Sequence, residues 1–121
     1  MPRKKKSESQ ESLLLTVIKA LQEKKAESLV SLELAKIPAS ICEHFVICTG
    51  NSRTHVESLY EYVCEIVKKK SGQRVWHSEG FENAEWILID YFDVVVHIFQ
   101  PESREFYQLE ALWADAPSTT Y

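Results

Sequence analysis

The stretch W-I-L-I-D-Y-F-D-V-V-V-H-I-F, Trp86 to Phe99, decides the fold. It reads as two strands, near 85–91 and 93–99, folded back at Asp90-Tyr91-Phe92-Asp93. Aspartate bonds its own backbone and suits such connections, so the turn has a mechanism. The second strand is apolar on both faces except at His97, which shares a face with Val95 and Phe99. Two aspartates and a histidine on a largely buried hairpin are either structural, catalytic or turned toward a partner.

Working outward, Pro101 starts a last helix at a favoured first position. Phe106, Leu109 and Trp113 form its apolar stripe. Upstream, R-V-W-H-S (74–78) is a short strand, and Glu79-Gly80 begins a loop. Before it, Val56, Leu59, Tyr60, Val63 and Val67 mark one face of a helix from about Arg53 to Lys70. Asn51 or Ser52 can cap its start and Gly72 its end. H-F-V-I-C-T (44–49) is apolar on both faces, which predicts a central strand. S-L-V-S-L-E-L (28–34) alternates, with Val30, Leu32 and Leu34 pointing inward. A first helix over about 9–25 carries Leu14, Val17, Ile18 and Leu21 on one face. The order α-β-β-α-β-β-β-α predicts an α/β fold. Its mixed sheet of about five strands is flanked by helices, with a parallel crossover in the middle and an antiparallel hairpin at the end.

The chain has 121 residues, which fits one domain, placed here over 9–116. Residues 1–8 and 117–121 read as disordered tails. The net charge of −4 is uneven. Arg3, Lys4, Lys5 and Lys6 make the start basic and leave an acidic body, which repels phosphates and suits a basic partner. No direct, sequence-specific nucleic-acid binding is expected. Cys42, Cys48 and Cys64 are odd in number and lack C-x-x-C spacing, which excludes a disulfide framework and suits a reducing cytoplasm. The run L-L-L-T-V-I-K-A-L (13–21) is too short and too interrupted to span a bilayer.

Enzyme chemistry has one foothold. A strand, a Gly50-Asn51-Ser52 turn and a helix could present a helix N-terminus to phosphate, with Arg53 beside it. Asp90 and Asp93 could then hold magnesium as in a nucleotidyltransferase. Carboxylates sharing a strand face are spaced i, i+2, whereas these two are i, i+3 and converge only through the turn. One glycine is too few for a specific phosphate loop. His44, His55, His77 and His97 lack metal-ligand spacing, so neither metal nor other cofactor is expected. For His97 a hydrogen-bonded, half-buried role competes with a contact role. Trp86 and Trp113 are either core rings or contact rings. Tyr91, Phe92, Tyr107 and Trp113, with Glu102, Glu105, Glu110 and Asp115 beside them, suggest an aromatic patch with an acidic rim.

The segments F-V-I-C-T-G-N-S-R-T-H-V (45–56) and S-E-G-F-E-N-A-E-W-I-L-I-D-Y-F-D-V-V-V-H-I-F-Q-P-E-S-R-E-F-Y-Q-L-E-A-L-W (78–113) resemble the ribosomal silencing factor, or Iojap-like, family over roughly residues 12–116. The resemblance implies a fold related to nucleotidyltransferases without catalytic residues. It implies a non-enzymatic repressor that binds the large ribosomal subunit through its ribosomal protein fourteen, and so blocks joining of the small subunit in the cytoplasm. It also implies a homodimer when free. Glu79, Trp86, Asp90, Asp93, His97, Tyr107, Glu110 and Trp113 match the family's motif residues and are the expected partner-binding set. The family commonly has glycine directly before the second aspartate; this chain has Phe92.

Overall fold

A computed structural model describes residues 2–35, 37 and 42–121, with side chains described from Leu13 onward. The elements are α1 (Pro2–Glu23), β1 (Glu27–Glu33), β2 (His44–Thr49), α2 (Arg53–Ser71), β3 (His77–Glu79), β4 (Trp86–Asp90), β5 (Val94–Phe99), α3 (Pro101–Tyr107), α4 (Leu109–Leu112) and β6 (Ser118–Thr120). They build a mixed, open sheet in the order β3-β4-β5-β2-β1-β6. Only β2 and β5 pair in parallel. The expected hairpin is β4–β5, with Trp86 opposite Phe99 and Asp90 opposite Val95. The crossover through α2 joins β2 to β3, and the hairpin is inserted between those two strands.

Helix α2 shows how local chemistry sets its bounds. The Ser52 hydroxyl accepts the His55 N–H at 3.1 Å, satisfying one orphan donor of the first turn. Gly72 takes the left-handed conformation (φ 72°) and its N–H reaches the Lys68 carbonyl at 2.9 Å. Lys68, Lys69 and Lys70 oppose the negative end of the helix dipole. Val56, Leu59, Val63 and Val67 are fully buried against the sheet. Each such burial stabilises the fold by roughly 1.5–3 kcal/mol.

The pleat divides the core in two. Val94, Val96 and Ile98 of β5 face α1 and α2, while Val95 and Phe99 face the opposite side with Phe45, Ile47, Leu109 and Trp113. Among the described residues, helix cover on this second side is limited to the short α3 and α4, and Trp86 and Leu88 are half-exposed there. As expected, β2 is central and buried from Phe45 onward.

Several expectations need correction. The sheet has a sixth strand. Residues 118–120, within the expected tail 117–121, pair with Val30–Leu32 of β1, and the Tyr121 hydroxyl lies 2.9 Å from Ser31 Oγ. This covers a row of backbone groups that β1 would otherwise leave unpaired. Covered on both sides, β1 buries Leu29 and Ser31 as well as Leu32, so it is not the half-exposed strand its alternation suggests. Helix α1 starts at Pro2, where a disordered stretch over 1–8 is expected; the side chains of 1–12 lie outside the described residues. The expected last helix is two helices broken at Gln108 (φ 44°, ψ 51°). The break rotates Phe106 out of the expected stripe, leaving it 80% exposed, while Leu109 is buried.

Candidate functional site

The loop between β3 and β4 is pressed against the start of β4. Gly80 sits at φ 96°, and a Cβ there would lie 2.0 Å from the Trp86 carbonyl oxygen, so only glycine fits. The Arg53 guanidinium donates to the Glu82 carbonyl (2.9 Å), and the Gln100 side-chain amide to the Ala84 carbonyl (3.0 Å). Between this loop and α3 lies a groove of about 540 Å³. Glu79, Glu82 and Glu85 supply its charge, and Phe81, Trp86 and Tyr107 its apolar surface. Among the described residues no basic side chain lines it.

The aromatic wall continues across the sheet face. The Tyr107 and Trp86 rings are 4.9 Å apart, and Trp86 stacks on Phe99 at 4.8 Å. The Trp86 indole N–H donates to His97 Nδ1 at 3.0 Å. His97 packs edge-on to Phe45 (4.6 Å), and Phe45 to Trp113 (5.7 Å). Accepting at Nδ1 puts the neutral imidazole's proton on Nε2, which is buried without a hydrogen-bond partner among the described residues. Burial lowers the His97 pKa to about 3, so the ring is neutral. It is only 3% exposed. His97, expected in the partner-binding set, is thus placed to fix the indole of Trp86 and offers little surface of its own.

Sequence reasoning missed the residue that holds the other wall. Arg104 donates to the Ser28 carbonyl (2.7 Å), Thr49 Oγ1 (2.9 Å) and Glu110 Oε1 (2.9 Å). It fastens α3, and with it Tyr107, to β1, β2 and α4. Glu110 is thus engaged inside the fold, and Trp113 is half-buried against Phe45. No local signal marks the pair, because on the one continuous helix expected, residues six apart do not share a face.

Asp90 and Asp93 lie at the opposite end of the hairpin. Asp90 is four strand positions from Trp86, about 13 Å along β4. Its Oδ1 accepts the Phe92 N–H at 2.7 Å, the turn-forming role proposed for it. The Asp93 carbonyl accepts the N–H groups of Glu43 and His44, fixing the entry to β2. Phe92, where the family commonly has glycine, is at φ 82°. The structure thus groups Glu79, Trp86 and Tyr107 and separates Asp90 and Asp93 from them. Among the described residues no three His, Cys, Asp or Glu side chains gather as a metal site. Burial pushes the Cys48 thiol up to about 12, as burial and then Asp90 do for Cys42, so neither is a ready nucleophile.

The model of the family described as ribosomal silencing factor during starvation matches residues 6–121. The chain belongs to that family. A ribosomal silencing factor of Halalkalibacterium halodurans is 39% identical over 110 residues, covering 91% of this chain and 92% of that one. The crystal structure of a Chromobacterium violaceum protein superposes with a TM-score of 0.81 at 34% identity, covering 86% of this chain and 85% of that one. The mouse protein named mitochondrial assembly of ribosomal large subunit protein 1 is 33% identical over 73 residues, covering 59% of this chain and 32% of that protein. In this ribosomal silencing factor family member, the two ends of the β4–β5 hairpin carry separate acidic and aromatic surfaces.

Proposed function

We propose that the chain is a translational repressor that binds the large ribosomal subunit through its ribosomal protein fourteen and so blocks joining of the small subunit. The observation that carries this reading is the groove of Glu79, Glu82 and Glu85 around Trp86 and Tyr107. Rigid aromatic side chains give contact area at low entropy cost, and carboxylates select a basic protein surface over nucleic-acid phosphate. Family membership points to the ribosome, and the name of the mouse relative to its large subunit. The proposed contact residues are Glu79, Trp86 and Tyr107; Arg104 and His97 hold the two rings in place. Tyr107 lines the groove, Phe106 lies against it with ring centroids 5.0 Å apart, and both are exposed, as is Leu112 on α4. They are the face through which a free homodimer would form, in competition with the ribosomal partner. The site of action is the cytoplasm.

The alternative is a nucleotidyltransferase using Asp90 and Asp93 with magnesium. Asp90 Oδ1 is committed to the turn, and no specific observation favours catalysis at this end.

The test is co-sedimentation with separated ribosomal subunits. The chain should travel with large subunits and not small ones, and adding it before mixing should reduce the assembled peak. An unchanged peak at saturating protein refutes the proposal. Tyr107, 51% exposed, should tolerate truncation. Tyr107→Ala should weaken large-subunit binding by about 1–3 kcal/mol. A parallel thermal melt should show little change in stability.

A further inference from the structure

We propose that the cleft between Trp76 and Phe92, at the tip of the β4–β5 hairpin, captures an arginine side chain of a partner protein. Trp76 and Phe92 are 67% and 64% exposed, a high value for residues of this size. Their rings meet at 70° with centroids 5.5 Å apart. With Asp90 and Val95 they enclose a cleft of about 220 Å³. That is below the range of small-molecule pockets, roughly 300–1,000 Å³, and suits one side chain.

Both walls are fixed through one residue. The Trp76 N–H donates to the Asp90 carbonyl at 2.9 Å, and the Phe92 N–H to Asp90 Oδ1 at 2.7 Å. Asp93 and Glu43 add charge at this end, since both, with Asp90, raise the Cys42 thiol pKa electrostatically. An exposed edge-to-face aromatic pair beside a carboxylate complements a cation and repels phosphate. Guanidinium fits better than ammonium, because its plane stacks on an indole while its edge bonds a carboxylate. This contact lies away from the Trp86–Tyr107 groove and does not depend on the ribosomal reading.

The experiment follows the Trp76 indole N–H resonance of the full chain, assigned with Trp76→Phe. The probe is Nα-acetyl-arginine amide, compared with its lysine and leucine counterparts and a uridine oligonucleotide. The arginine probe should give a saturable shift, the lysine probe a weaker one, and the others none. Asp90→Asn keeps the turn-forming oxygen and removes only the charge; Phe92→Gly removes one wall and suits the positive φ. Each should weaken the arginine response about three- to tenfold. An equal response to leucine, or unchanged affinity in Asp90→Asn, overturns the proposal. So does a response to the oligonucleotide. A Trp76 shift that follows protein concentration without probe assigns the cleft to a second copy and also overturns it.

Discussion

Replacing Arg104 by alanine should cost about 3–4 kcal/mol. The side chain is 14% exposed and makes three charge-assisted hydrogen bonds. Such bonds contribute about 1.5–3 kcal/mol each when their partners stay desolvated. The three acceptors differ in that respect. Ser28 is exposed and Glu110 is 39% exposed, so water can replace the guanidinium at both. Only Thr49, 6% exposed, is left with a buried, unsatisfied hydroxyl. Two bonds worth only about 0.5–0.8 kcal/mol each, because water takes the place of the guanidinium, and one of about 2.2 kcal/mol give the figure stated. At about 4 °C per kcal/mol for a domain of this size, the melting temperature should fall by about 12–16 °C. Arg104→Lys should recover less than half, because an ammonium cannot reproduce the fork that reaches β1, β2 and α4 together. Urea denaturation and thermal melts measure both variants. A loss under about 1 kcal/mol for Arg104→Ala, or full recovery by lysine, refutes the idea that this residue ties α3 to the sheet. The functional corollary is separable: at temperatures where Arg104→Lys remains folded, large-subunit binding should still weaken, because α3 carries Tyr107.

Phe92→Gly should stabilise the domain by about 1 kcal/mol, since a bulky residue at φ 82° is strained; a chemical melt reads it directly. Gly80→Ala should destabilise by about 2 kcal/mol or more and abolish large-subunit binding, because the added Cβ would overlap the Trp86 carbonyl at 2.0 Å. Acid should expose His97. Its folded pKa of about 3 lies below the usual 6.5, so the unfolded chain binds the extra proton between those values. Its contribution is intact above pH 6.5 and is lost as pH falls toward 3, with a slope up to about 1.4 kcal/mol per pH unit. His97→Gln should flatten that part of the stability–pH curve relative to the parent, and identical slopes would contradict the buried, neutral ring.

The hairpin, the central strand β2 and helix α2 were legible because each is a strong local pattern: an Asp-flanked turn, a run buried on both faces, and an apolar stripe between a serine cap and a glycine stop. β6 was not legible. Ser118-Thr119-Thr120 is short and exposed, and it is a strand only because β1 offers an open edge. The Gln108 break was equally hidden, because no glycine announces the left-handed residue. At the site, the family resemblance pointed to Glu79, Trp86 and Tyr107, which converge, whereas the patch of Tyr91, Phe92, Tyr107 and Trp113 read from ring content does not assemble, since Tyr91 is buried and Trp113 half-buried. Ring content and charge gave no view of what is buried or paired. They could not show that His97 faces inward or that Glu110 is held by Arg104. Those facts depend on partners far apart in sequence: Ser28 and Thr49 lie 76 and 55 residues from Arg104.

The sheet ends on both sides in a three-residue strand, β3 at one margin and β6 at the other. A long bare margin is a template on which further chains can add by backbone pairing, the route to fibres and amorphous precipitates. Here each margin offers only about 10 Å of ladder at 3.3 Å per residue. Growth of the sheet from molecule to molecule is therefore disfavoured, however crowded the solution. Association has to be written in side chains, where single substitutions can tune or abolish it, and the protein can present large exposed rings without recruiting its own copies into an endless stack.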